Sequence, residues 1–230
     1  MIAIMSEQIA KAFEEKTNIK TISLPSFEKL DAPISSHADM LICVIENNVF
    51  FYKEYYEAYK ERFKDINEKY NVILVEKECS KKYPFDVGLN VLVIGNKIFC
   101  NKKYVASEII TLAENLSYKI VDVKQGYSAC STLVIDENNA ITGDKGMYFS
   151  LKNEGINVLL ISPENIVLEG YNHGFIGGSG GIFKKTAYFF GNINEKKEYE
   201  SVLSLLKNKE CTSISVLKEN LFDFGGIKFL

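Results

Sequence analysis

Two histidines, His37 and His173, and five cysteines, Cys43, Cys79, Cys100, Cys130 and Cys211, bound the chemistry open to this 230-residue chain. Imidazole and thiol are common acid/base and nucleophilic groups of covalent catalysis. Two histidines with no CxxC or Cys/His ligand spacing make a multi-histidine metal site improbable, and no motif asks for an organic cofactor. An odd number of unspaced cysteines reads as free thiols in a reducing compartment. Neither a Walker A loop nor GxSxG occurs. Gly177-Gly178-Ser179-Gly180-Gly181 has the glycine content of a phosphate cradle, but it lacks the GK[ST] ending and does not open a helix. Cys43, Cys79, Cys100 and Cys211 sit in apolar runs or at element ends and read as packing residues. That leaves Cys130 among the thiols, and both histidines.

The elements that would position these residues repeat. Leu41–Ile45 leads through Glu46-Asn47-Asn48 to Val49-Phe50-Phe51, and Asn90–Ile94 leads through Gly95-Asn96-Lys97 to Ile98-Phe99-Cys100. Ser131–Ile135 and Ala140-Ile141-Thr142 flank a third turn, and Gly181-Ile182-Phe183 and Ala187–Phe190 flank a fourth. Each is a β-rich run, a short polar turn and a second run, the grammar of a hairpin. Helical spacing follows, as in Tyr52, Tyr55, Tyr59, Phe63 and Ile66, with a shorter stretch near 145–153 in the third unit. Buried-type strands at 71–76, 118–123, 156–161 and 212–217 close the units.

The two ends supply a fifth unit. Phe222–Leu230 aligns without gaps to Phe85–Val93 and stops at the end of a first strand. Ile2–Met5 would be the second strand, Ser6 an N-cap, 7–16 an amphipathic helix and 18–24 the closing strand. His37, Asp86, Tyr127, Phe175 and Asp223 then occupy equivalent positions at steps of 49, 41, 48 and 48 residues. No linker is left over. The expectation is one α/β domain over 1–230, a pseudo-fivefold, five-bladed α/β-propeller of ββαβ modules, closed where the termini pair. The competing reading is an ordinary α/β sheet with coincidental periodicity.

Equivalence sorts the polar residues. His37 shares its position with Asp86 and Asp223, which makes a central site the expectation there. Asp39 aligns with Gly88, Ala129, Gly177 and Gly225, so it is one carboxylate among small residues and reads as a ligand contact. Cys130 aligns with Met40, Leu89, Gly178 and Gly226, and a small core residue is its competing reading. Asn172 and His173 precede the fourth inner strand and are placed to line a mouth. Asp144-Lys145 reads as a solvated turn.

Five ββαβ units resemble the pentein fold of the guanidine-modifying superfamily, which includes arginine and agmatine deiminases, dimethylarginine hydrolases and amidinotransferases. His37–Met40, Val123–Ser131 and the segment from Leu168 to Gly178 look like an uncharacterised bacterial pentein-type family. The superfamily's His-x-Asp element matches His37-Ala38-Asp39. Its cysteine at the head of an inner strand matches Cys130, 93 residues on, about the two modules that separate these elements in the hydrolases. The resemblance implies Cys130 as nucleophile, His37 as general acid/base and Asp39 as a guanidinium holder. Asp86, Ser128, Asn172 and Asp223 would contact substrate, a small cationic guanidino-type molecule. A carboxylate beside His37 would favour the imidazolium.

The chain also departs from that pattern. Cys130 falls in the third module rather than the last, as if the order were permuted. The place of a further substrate carboxylate falls near 175–179, which carries none, and no Gly-Gly-x-x-Cys occurs. The alternative is therefore a catalytically silent module on the same fold, binding a small molecule or a protein.

Composition narrows the partners. With 27 Lys+Arg against 30 Asp+Glu the net charge is −3, which argues against nucleic acid binding through a basic field. A hydrophobic share of 47% with 25% charged residues excludes a disordered chain. No apolar run approaches the ~18 residues of a membrane span, and the N-terminus lacks a signal-peptide pattern. A cytoplasmic location is expected, and nothing in the pattern specifies an oligomeric state.

Overall fold

Four stretches of the chain follow one path, strand, tight turn, antiparallel strand, helix, parallel strand, and the two ends of the chain together make a fifth unit without the turn. The structure is a computed structural model that describes residues 1–194 and 196–230. Its first segment holds β1 (Ala3–Ser6), α1 (Glu7–Thr17) and β2 (Thr21–Leu24). A single turn, α2 (Ala38–Leu41), leads into β3 (Ile42–Ile45), β4 (Asn48–Tyr52), the helical stretch α3 (Lys53–Tyr59) and α4 (Lys64–Asn67), and β5 (Asn71–Val75). The next unit is β6 (Leu92–Ile94), β7 (Lys97–Cys100), α5 (Ser107–Asn115) and β8 (Lys119–Asp122). Then come β9 (Thr132–Asp136), β10 (Asn139–Thr142), α6 (Lys145–Asn153) and β11 (Asn157–Leu160). After the short β12 (Ile166–Val167) the pattern repeats in β13 (Gly180–Phe183), β14 (Thr186–Phe189), α7 (Glu200–Asn208) and β15 (Thr212–Ser215). The chain ends with β16 (Leu221–Phe222) and β17 (Lys228–Phe229).

Among the described residues these strands form five three-stranded sheets, each with its second strand in the middle, and one two-stranded pair, β12–β16. The first and second strands pair antiparallel and the second and third parallel in every unit. Parallel pairing demands a crossover, and the helix between the strands supplies it. Three of the hairpin turns start with a residue at positive φ: Glu46 at 52°, Gly95 at 56° and Lys184 at 53°. Glycine is unstrained there, and the other two show how strongly the turn geometry is imposed. Ser6 caps α1 through Gln8 N–H at 3.2 Å. Asp144, expected in a solvated turn, instead accepts from Met147 N–H at 2.7 Å and caps α6.

Each helix lays its apolar face on its own sheet, and aromatic contacts join neighbouring units. Phe13 of α1 meets Tyr188 of β14 at 5.3 Å between ring centroids, and Phe183 meets Phe229 at 5.3 Å. One residue from each first strand, Val44, Val93, Val134, Ile182 and Lys228, lines a single cavity of about 210 Å³.

The ends of the chain are strand partners. Ile2 N–H donates to Leu230 O at 2.8 Å and Leu230 N–H to Ile2 O at 2.9 Å, in register with Ala3 opposite Phe229. A reciprocally bonded pair is what a two-residue hairpin turn closes on. Replacing Met1 by Asn-Gly joined to Leu230, and opening the chain between Lys102 and Lys103, should therefore give a folded permutant. Its thermal midpoint is expected within a few degrees of the parent; a chain that fails to fold contradicts the terminal pairing.

Candidate functional site

Four polar residues converge where α2, the turn before β17 and the head of β9 meet. His37 is the residue before α2, and its side chain makes no capping bond. Asp39 lies in the first turn of α2, Asp223 just past β16, and Cys130 two residues before β9. All four are buried: His37 is 1% exposed, Asp39 2%, Asp223 3% and Cys130 5%. Glycines let the backbones come this close. Gly225, at φ 79°, would drive a Cβ to 2.2 Å from that of His37, and a Cβ on Gly178 would stand 1.9 Å from Asp223 Oδ1.

His37, Cys130 and Asp223 line one cavity of about 240 Å³, with Tyr127, Phe175 and Asn172 on its walls and mouth. That is small beside the ~300–1,000 Å³ of pockets that take drug-sized ligands. Asp39 lines instead the cavity between the first strands. It still acts on the thiol, because its charge raises Cys130.

The five residues equivalent by sequence are in contact on this side. His37 Nδ1 is 3.7 Å from Asp223 Oδ1, and Asp223 Oδ2 accepts from Phe175 N–H at 2.8 Å. Phe175 and Tyr127 rings lie 6.2 Å apart, and Tyr127 donates its hydroxyl proton to Asp86 Oδ2 at 2.5 Å. Asp86 thus stands behind Tyr127 rather than on the cavity wall, and its Oδ1 is buried without a partner.

Burial dominates the electrostatics. It pushes the Cys130 thiol well up, and the carboxylates of Asp39 and Asp223 push it further. Burial raises Asp223 from 3.8 to about 7, with Asp39 adding to the rise. His37 falls from 6.5 to about 4 for the same reason, although Asp39 pulls the other way. The expected imidazolium is therefore overturned. At 3.7 Å the His37–Asp223 pair has ion-pair spacing, but desolvation opposes charge on both members, and a neutral imidazole facing a carboxyl that titrates near neutrality is the consistent state. Three sites remain without hydrogen-bond partners here: His37 Nε2 and both oxygens of Asp39.

Asn90, which sequence reasoning passed over as the start of an inner strand, organises the thiol. Its Nδ2 lies 2.8 Å from Cys130 Sγ and donates to Asp39 O at 3.0 Å, while its Oδ1 accepts from Ala129 N–H at 2.8 Å. The expected substrate contact Ser128 is not on the cavity wall. It is fully buried, its hydroxyl lying 2.8 Å from Phe99 O and 3.1 Å from Asn90 O and accepting from Leu92 N–H at 3.3 Å. Asn172 is exposed at the mouth, and His173 beside it bonds Gly174 O through Nδ1. Among the described residues no group of three or more His, Cys, Asp or Glu side chains is placed to hold a metal ion, and no helix is long and apolar enough to cross a membrane.

Two predictions follow from these bonds and charges. Asn90→Ala leaves the buried Ala129 N–H without a partner and should cost about 2–3 kcal/mol in urea unfolding; a loss under ~0.5 kcal/mol contradicts the anchor. The second concerns pH. Asp223 holds its proton in the fold up to about 7, so its contribution is full below 3.8 and is lost as pH rises to about 7. His37 refuses a proton until about 4, so its contribution is full above 6.5 and is lost as pH falls to about 4. The two slopes oppose. Relative to the parent, Asp223→Asn should gain stability as pH rises between these limits and His37→Gln should lose it. Urea midpoints at several pH values between 4 and 7 measure both; parallel curves refute the assignment.

Comparison with known proteins places the architecture. The dimethylarginine dimethylaminohydrolase of Pseudomonas aeruginosa, in a Cys-to-Ser mutant complexed with citrulline, superposes with a TM-score of 0.53 at 11% identity, covering 94% of this chain and 92% of that one. A dimethylarginine dimethylaminohydrolase adduct with 4-chloro-2-hydroxymethylpyridine gives 0.57 at 11% identity, over 93% and 91%. The C. jejuni agmatine deiminase, a Cys-to-Ser mutant with substrate bound, gives 0.55 at 12% identity, over 99% and 81%. Likeness at such identity shows the fold alone, and that fold is the pentein one, a mixed α/β arrangement of small sheets. No curated protein matches the sequence. A family model matches residues 3–228, and the chain belongs to that family, described as "Family of unknown function (DUF6873)".

Proposed function

We propose that the chain is a Cys130-dependent hydrolase or transferase acting on a small guanidino or amidino cation. The observation that carries this reading is the thiol's setting. Cys130 and His37 share one cavity floor with Asp223, and no Lys or Arg nitrogen comes within 4 Å of the buried Asp39, Asp86 or Asp223 carboxylates among the described residues. Buried carboxylates without a cationic partner are costly, and a ligand cation would supply the missing charge. Two of the structural relatives are complexes, the dimethylarginine dimethylaminohydrolase with citrulline and the agmatine deiminase with substrate.

We further read the five units as one domain over 1–230, a five-bladed propeller shut by its own termini. Support comes from the strand order common to all five sheets, the Ile2–Leu230 pairing and the cavity to which each first strand contributes one residue. Such an axis brings equivalent residues of different blades to one centre, and a closed ring leaves few free edges.

The chemistry follows from the charges. A planar cation beside Asp223 offsets part of the negative field that, with burial, keeps Cys130 protonated. The thiol proton then passes to His37, whose Nε2 is neutral and unpartnered. Sulfur attacks the central carbon, the C=N electron pair moves onto nitrogen, and the imidazolium returns the proton to the departing amine as its C–N bond breaks. Water activated by the same imidazole, or an acceptor amine, then releases the carbon from sulfur. A silent binding module is the second reading. What favours it is the near-complete burial of Cys130 and the absence of a carboxylate from 175–179.

A chloroacetamidine probe separates the two. It should alkylate Cys130 about tenfold faster than neutral chloroacetamide, since a cation that lowers a thiol by one unit raises its thiolate tenfold. The advantage should vanish in Asp39→Asn, and the labelling itself in Cys130→Ala. Equal rates for both reagents, or no labelling at Cys130, would leave only the binding module.

A further inference from the structure

The walls of the cavity say what the rest of the ligand carries. No Lys or Arg lines it among the described residues. The phenol protons that might bind an anion are already committed: Tyr127 donates to Asp86 Oδ2 and Tyr171 to Asp31 Oδ2 at 3.0 Å. Each leaves only an acceptor oxygen, backed by a carboxylate, at the rim of the cavity. An amino-acid ligand would bring its own carboxylate into that field and meet repulsion with no cationic side chain on the walls to offset it, only the neutral Asn172 amide and the His173 ring at the mouth.

Apolar surface is what the walls offer instead. Leu168 and Met40 face the cavity beside Tyr127 and Phe175. The aromatic run continues outward, with Tyr83 at 5.3 Å from Tyr127 and His173 at 5.8 Å from Phe175. Tyr83 and Tyr171 remain 45% and 42% exposed, although large apolar groups are normally withdrawn. Exposed aromatic rings around a small mouth fit a flat apolar group entering it.

We propose that this cavity takes a guanidine or amidine without a carboxylate, whose substituent is apolar and by preference aromatic. The inference rests on the cationic-head reading above and deepens it. The head would lie toward Asp223 and Cys130, and the substituent would pack against Phe175 and Tyr127 beside Tyr171.

Calorimetric titration of the Cys130→Ala protein, which prevents turnover, with four probes tests it. 2-Phenylethylguanidine should bind at least about tenfold tighter than arginine and than guanidinium ion, from the buried ring area. 2-Phenylethylurea, the neutral counterpart, should bind at least about tenfold more weakly than the phenylethylguanidine. Tyr171→Ala, at an exposed position, and Phe175→Leu should each lower the affinity for the aromatic guanidine about three- to tenfold and leave that for guanidinium unchanged. Arginine binding as tightly as phenylethylguanidine overturns the substituent inference and leaves the cationic head standing. Equal binding of the urea, or no binding of either guanidine, overturns the head reading and this inference with it.

Discussion

Three carboxylates withdrawn from water without a lysine or arginine beside them constrain everything else at the centre of this molecule. Asp39, Asp86 and Asp223 are each no more than 3% exposed. Isolated ions in such surroundings are expensive, so each must find donors, take a proton or wait for a cation. Asp223 uses the first two, accepting from the N–H groups of Phe175 and Gly225 and titrating near neutrality. Asp86 shares Tyr127's proton through one oxygen. Asp39 has neither side-chain donor nor proton donor on its oxygens, which makes it the least settled of the three and the strongest pointer to a ligand.

The fold makes this concentration of charge tolerable by fixing it in backbone. Equivalent residues of successive units approach one another because each unit enters its first strand through the same kind of turn. Gly178 illustrates the economy of the arrangement: its N–H donates to Cys130 O, and its carbonyl accepts from the N–H groups of Phe224 and Gly226. One residue without a side chain thereby ties the thiol's turn to the carboxylate's turn. A substitution there would collide with Asp223 itself, so the geometry of the acid and that of the thiol are not independent.

Much of the fold was legible because its information is local. A strand, a two- or three-residue polar turn and a second strand lie within about ten residues, and the crossover helix follows at once. The gapless likeness of 222–230 to 85–93 exposed the terminal pairing although its partners lie at opposite ends of the chain. The β12–β16 pair was not legible, since two-residue strands more than fifty positions apart leave no pattern. Asn90 escaped for a related reason: its partners Asp39 and Cys130 stand 51 and 40 residues away. Ser128 was misjudged because a serine near a candidate cysteine looks chemical, and only coordinates show its hydroxyl committed to backbone. The sign of the His37 shift failed on magnitude. Sequence shows the adjacent carboxylate, but it does not show complete burial, and burial is the larger effect.

Fold likeness at 11% identity carries no chemistry by itself, so the thiol's environment must decide what kind of site this is. A nucleophile kept ready would sit beside a cation or a helix N-terminus. Cys130 sits beside two acids, in the setting least favourable to a thiolate. On the reading proposed above, a ligand's positive charge relieves that setting, because the acids that suppress the thiolate are also groups that attract a cation. Reactivity is then conditional: a neutral electrophile entering the same space meets a protonated thiol, and a cationic one meets a thiol whose opposing field it has just offset. On that reading, selectivity for charge resides in the thiol's own environment, ahead of any contact the walls make with the remainder of the ligand.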